Sequence, residues 1–169
     1  MTPEKRTLSP NAAHLVRTAQ QINLTLSQMA DQKASILMGA TFVVFTISVG
    51  QAGQAGVSYA ILVLAVSAFL SAMLAVFAIL PSIGGSAQAN PNILFFGTFS
   101  AMTEEEFANA VLDGMYDDEA TYRLMLRDIY QNGQVLYRKK YKYLGMAYRV
   151  FLFGLVLTVA TLIGERIWG

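Results

Sequence analysis

Cysteine is absent from this 169-residue chain, and histidine occurs once, at His14. The first absence removes disulfides, thiolate metal sites and cysteine nucleophiles, and the second removes any multi-histidine metal centre. Charge is scarce too. Asp, Glu, Lys and Arg make up 14% of residues against 54% hydrophobic, too apolar a balance for an ordinary soluble domain. Twelve basic and eleven acidic residues nearly cancel to a net +1, so the total says nothing about a polyanionic partner and the placement of charge carries the information. The N-terminal MTPEKRTLSPNAAHLVRT has no apolar core followed by a small-residue cleavage site, which argues against a cleavable signal peptide. No period of about 20–50 residues repeats, so solenoids and duplicated transporters lose support. There is no Gly-rich phosphate loop, no Ser-His-Asp set and no convincing catalytic carboxylate pair, so neither an enzyme nor a cofactor is expected.

What is present is three uncharged apolar runs, Ala34 to Gly50, Val57 to Ile83 and Val150 to Gly164. These predict an all-α membrane protein with three transmembrane helices, over 34–50, 57–83 and 150–168. The short first and third runs recruit flanking Lys33, Arg149 and Trp168 toward the ~20 residues a bilayer requires. Lys5, Arg6, Arg17 and Lys33 precede the first run; Arg123, Arg127, Arg138, Lys139, Lys140, Lys142 and Arg149 lie between the second and third; Arg166 alone remains. The QAGQAG connection is uncharged. By the positive-inside rule the N-terminus and the 84–149 segment face the cytoplasm of a bacterial inner membrane, and the C-terminus faces the periplasm.

Segment 1–33 predicts an amphipathic helix, opened by Ser9-Pro10, with Leu15, Ala19, Ile22, Leu26 and Met29 as its apolar stripe, running on into the first span. PSIGGSAQANP reads as a loop. Thr103 and Glu106 have capping-box spacing for a short helix that ends near Gly114. Asp117, Asp118 and Glu119 open another, whose inward face is Tyr122, Met125 or Leu126, Ile129 and Leu136. Asn132-Gly133 is its weak point. The two extensions and the short helix are expected to form a small cytoplasmic bundle.

The spans hold no ionisable residue, which disfavours a coupled transporter. They do hold small residues at four-residue spacing, Ser67, Ser71 and Ala75 in the second and Gly154 with Thr158 in the third, suited equally to intramolecular packing and to oligomerisation. Three spans are too few to enclose an aqueous path, so a perforating protein of this size must assemble. His14 and the run Glu104 to Glu106 are better explained by packing and by capping than by chemistry. The cluster Arg138, Lys139, Lys140 and Lys142, interleaved with Tyr137, Tyr141 and Tyr143, suits lipid headgroups. A candidate ligand set is Arg123, Arg127, Asp128 and Asn132 with Asn92, Phe95 and Phe96: guanidinium forks hold phosphate, aromatic faces stack on a base and amides read its edge. Its bland counterpart is a solvated helix face with Phe95 and Phe96 in the core.

Three stretches bear a resemblance. Ala30-Asp31-Gln32-Lys33-Ala34-Ser35, Asn92-Ile93-Leu94-Phe95-Phe96-Gly97, and Arg127-Asp128-Ile129 through Arg138-Lys139-Lys140-Tyr141 resemble, in order and spacing, the Pycsar effector transmembrane (PycTM) family. Such a resemblance implies an antiphage effector. A partner nucleotide cyclase makes a cyclic pyrimidine mononucleotide, cCMP or cUMP, and the effector impairs the inner membrane. Implied partners are that second messenger, the lipid bilayer and further copies of the chain, with no DNA or RNA. The alternative is a structural or pore-forming membrane partner without its own ligand. Asp31, Gln32 and Lys33 then read either as a collar at the membrane surface that meets the Phe95-Phe96 loop and couples ligand to spans, or as a hydrated end of the first span.

Overall fold

The computed structural model describes residues 8–52, 58–81 and 92–168. Lys5, Arg6, Val57, most of the QAGQAG connection and the loop after Pro81 lie outside the described residues. The elements are α1 (Ala12–Ala52), α2 (Tyr59–Ile79), α3 (Phe96–Phe99), α4 (Glu104–Asp113), α5 (Asp118–Val135), a π-helical turn (Leu136–Tyr141) and α6 (Lys142–Trp168), with no strand among the described residues. In lipid every backbone group needs an internal partner, which leaves a helix as the stable form of an uncharged run. Three helical stretches are long and apolar enough to cross a membrane: Ala12–Ala52, Tyr59–Ile79 and Asp118–Trp168. The 21 residues of α2 span about 31 Å, the thickness of a bilayer's hydrocarbon core.

The chain divides into two compact units. One, Ser27–Pro81 with Leu136–Gly169, holds the apolar helices. Here α2 and α6 run antiparallel: Ser58 meets Glu165, Ser71 meets Ala147 and the ring of Phe77 lies 6.0 Å from that of Tyr143. The small residues sit on this seam. Ser67, Ser71, Ala75 and Ala78 of α2 are buried, as are Ala147 and Gly154 of α6. A Cβ on Gly154 would lie 2.2 Å from the Cβ of Ser67, so only glycine permits this approach. Ser71 donates to the Ala147 carbonyl oxygen at 2.8 Å, a directional bond in surroundings without water. Intramolecular packing therefore accounts for the small residues of both helices. α1 joins through a core of Leu37, Ala75 and Ala147 and through the rings of Phe45 and Phe69, 5.7 Å apart. Phe42, Val43, Phe153 and Val156 point outward, as lipid-facing residues do.

The other unit comprises Met1–Leu26 and Ser82–Val135. Thr103 and Glu106 form the expected capping box on α4, and Gly114 caps its C-terminal end. Asp117 accepts from the Ala120 amide at 3.3 Å to start α5, and the Thr121 hydroxyl donates to the Gly114 carbonyl at 2.9 Å, fixing the turn between the two helices.

One local expectation needs correction, and two others are made definite. The inward seam of α1 takes in Ala19 and Leu26 of the apolar stripe, both partly buried, but is otherwise displaced from it by one position. Leu15 and Ile22 are 73% and 53% exposed, while Val16, Ala30, Ala34, Leu37, Thr41 and Ser48 are buried, with Gln20, Asn23 and Ser27 partly so. Spacings of three and four relate these seam positions, the geometry of coiled-coil packing, but near its start the seam is polar. On α5, Met125 turns inward and Leu126 is exposed. The helix also passes through Asn132-Gly133 intact and changes form at Leu136, where the π-turn begins.

Candidate functional site

In the unit with α4 and α5, the candidate ligand residues divide into those that meet and those that do not. Asn92 is only 4% exposed, and its Nδ2 donates to Asp128 Oδ1 at 2.9 Å. Its own Oδ1 accepts from the Leu94 amide at 3.1 Å, which fixes the start of the Phe95-Phe96 turn. Asp128 Oδ2 accepts from Gln20 Nε2 at 3.3 Å, and one turn along α1 Asn23 Nδ2 donates to the Ile129 carbonyl at 3.0 Å. Asp128 is thus the hub joining α1, α5 and the segment before α3. The rings of Phe95 and Phe96 pack in a tilted pair, centroids 4.8 Å apart and planes inclined by 50°, Phe96 outermost. Gly97 makes room, since a Cβ there would sit 2.5 Å from the Phe95 ring.

Arg123 stands apart from this hub. Its guanidinium pairs with Glu119 at 2.5 Å, one turn back on α5, with its side chain 74% exposed. Arg127 is half-buried and Asn132 exposed, each on α5.

At the α1 end of the membrane unit, Asp31 is neither bare nor merely hydrated. Lys140 of the π-turn reaches its two carboxylate oxygens at 2.6 and 2.8 Å and the Ser27 hydroxyl at 2.7 Å. The pair is half-screened, with side-chain exposures of 19% for Lys140 and 40% for Asp31. Gln32 and Lys33 are exposed, and the Lys33 carbonyl accepts from the Tyr148 hydroxyl at 3.4 Å. The contacts of Gln20, Asn23, Ser27 and Lys140 with these positions are ones that the sequence reading missed. The signal available was the polar spacing of Gln20, Asn23, Ser27 and Asp31 along one helix face.

Electrostatically the α4 cap is the perturbed feature. The Glu106 carboxyl is held below the usual glutamate range, first by the Thr103 backbone amide and then by its hydroxyl. Among the described residues no buried side-chain nitrogen or oxygen lacks a partner and no acid or histidine cluster has metal-site spacing.

The fold and these groups define a helical membrane protein with three bilayer-length helices and a second compact helical unit. A family model, PycTM, described as the Pycsar effector protein domain, matches residues 14–164, and the chain belongs to that family. It is therefore an effector of antiphage cyclic-nucleotide signalling, in a system that includes a cyclase, and the family is not one of known enzymes. No curated protein and no solved structure matches the chain.

Proposed function

We propose that the protein senses a cyclic pyrimidine mononucleotide, cCMP or cUMP, and responds by disrupting the bacterial inner membrane as an oligomer. The observation that carries this reading is the family match across nearly the whole chain of a protein with three bilayer-length helices. Assembly is supported by the exposure of Leu15 and Ile22, apolar residues on a part of α1 that precedes its uncharged run. The lysine and arginine distribution supports a cytoplasmic N-terminus and a periplasmic C-terminus.

For the ligand, the reading keeps the α5 face with Asn92, Phe95, Phe96, Arg123, Arg127, Asp128 and Asn132. Support comes from the Asn92–Asp128 bond and the neighbouring aromatic pair, which place amide, carboxylate and ring faces within one segment. Arg123 would leave Glu119 to take a phosphate, an inexpensive exchange for an exposed pair. Asp31, Gln32 and Lys33 would couple the ligand to the spans through the Lys140 anchor. The saturation of Asn92 and Asp128 by each other favours the second reading, a membrane partner without its own ligand.

Titration of the purified full chain with cCMP, cUMP and the purine cyclic nucleotides separates the two. Pyrimidine-selective binding, lost in R123A/R127A, and dye release from liposomes only with ligand are expected. Absence of binding to all four would refute the sensing role.

A further inference from the structure

We infer that the π-turn and the opening of α6 form a binding groove for the phosphodiester headgroup of an anionic membrane lipid. A concavity of about 730 Å³ opens along this face, lined by Arg138, Lys142 and Arg149 together with Tyr137, Tyr141 and Gly145. That volume lies within the range of small-molecule sites. Its lining holds three cations and no carboxylate. The unit's nearby acid, Asp31, is taken up by Lys140, a neighbour of the groove residues that does not line it, so the two basic sets are separated.

Position selects the ligand. Arg149 immediately precedes the uncharged run that starts at Val150, so the groove opens at the depth where headgroups lie. Arginine forks chelate phosphate oxygens, lysine supplies a compact charge, and tyrosines present a polar tip at an interface. Gly145 falls between Lys142 and Arg149, and a Cβ there would meet nothing within 4 Å. Protein packing does not require a glycine at that point of the helix, and its bareness leaves space between the cations. A cyclic nucleotide carries the same singly charged phosphodiester, yet the lining offers no Asn or Gln to read a base edge, and a lipid needs none. The inference stands apart from the nucleotide-sensing proposal, and failure of either leaves the other intact.

The test uses the full chain in neutral detergent, with unfolding followed at increasing phosphatidylglycerol or phosphatidylcholine, and separately with cCMP or cUMP. Phosphatidylglycerol is expected to stabilise the wild type selectively. R138Q/K142Q should weaken its apparent affinity by about 25-fold, roughly fivefold per charge removed. Gly145→Phe keeps every charge but fills the groove and should weaken it as well, which decides the matter if the double variant folds poorly. R17Q, an exposed charge lost elsewhere, should have no effect. Equal response to both lipids, full selectivity in Gly145→Phe, an R17Q loss as large as that of R138Q/K142Q, or dependence on the groove residues of nucleotide rather than lipid binding would each overturn the inference.

Discussion

Gly154→Ala is the sharpest probe of the α2–α6 seam. The added Cβ would lie 2.2 Å from both Cβ and Oγ of Ser67, and 3.6 Å from its Cα. A serine hydroxyl can rotate away, but its Cβ moves only with the backbone. The helices must therefore separate by more than 1 Å, taking the Ser71 to Ala147 bond at 2.8 Å with them. Alanine gains about 1 kcal/mol of helix propensity over glycine, against overpacking that typically costs 1–3 kcal/mol and a directional bond of about 1 kcal/mol. The net expectation is a loss of about 1–3 kcal/mol. Ser67→Gly removes both clashing atoms and leaves only the Cα at ordinary contact distance. The pair S67G/G154A should thus recover most of the loss, with a coupling energy above 1 kcal/mol in a double-mutant cycle. Reversible unfolding in mixed micelles measures all four proteins. A neutral Gly154→Ala, or strictly additive effects in the double variant, would refute the close-approach argument.

Other perturbations follow from the polar contacts. Lys140→Met should destabilise the membrane unit by about 1–2 kcal/mol, and D31N/K140M by less than the sum of its parts, because the pair is only half-screened; additivity would show the ion pair to be idle. Asp128→Ala removes the acceptor of the buried Asn92 amide and should cost about 1–3 kcal/mol, whereas Arg123→Ala should stay within about 0.5 kcal/mol, as surface changes do; chemical unfolding ranks the two. The lowered pKa of Glu106 gives the α4 cap a pH dependence with a definite sign. Because the folded-state value is depressed, the contribution is fully present above the unfolded glutamate's pKa and is lost as pH falls through the lowered one. Acid should fray the start of α4 in the wild type and produce no such transition in Glu106→Gln, read from amide chemical shifts of residues 103–107.

Legibility in the sequence followed the range of the interaction. The apolar runs announced themselves because lipid solvation depends on composition, and the Thr103–Glu106 cap did so because its partners are three residues apart. The seam of α1 was misplaced by one position because its early part is built from Gln20, Asn23 and Ser27, which an apolar-stripe criterion passes over in favour of Leu15 and Ile22. Asp31 reads from sequence either as a coupling collar or as a hydrated span end because its partner, Lys140, lies 109 residues away in a cluster that also reads as lipid-facing. Asn92 and Asp128 belong to one candidate group in the sequence and meet in the structure, but their bond to each other is a tertiary fact. The π-turn has no local signature: Leu136 to Tyr141 has the composition of an ordinary helix, and the wider turn accompanies the bond from Lys140 to α1.

The meeting of Ser58 with Glu165 has a consequence for the order of biosynthesis. The Glu165 carboxylate accepts from the Ser58 hydroxyl at 2.7 Å and from the Ala60 amide at 3.3 Å, so the first turn of α2 is capped by a residue 105 positions later than Ala60. A ribosome delivers α2 long before that carboxylate exists. During the interval the amides of its first turn depend on water, and they gain their protein partner only once α6 has been laid antiparallel beside α2. Completion of the second helix is thus scheduled by insertion of the last one, and a nascent chain arrested before Glu165 would carry an α2 frayed at its beginning.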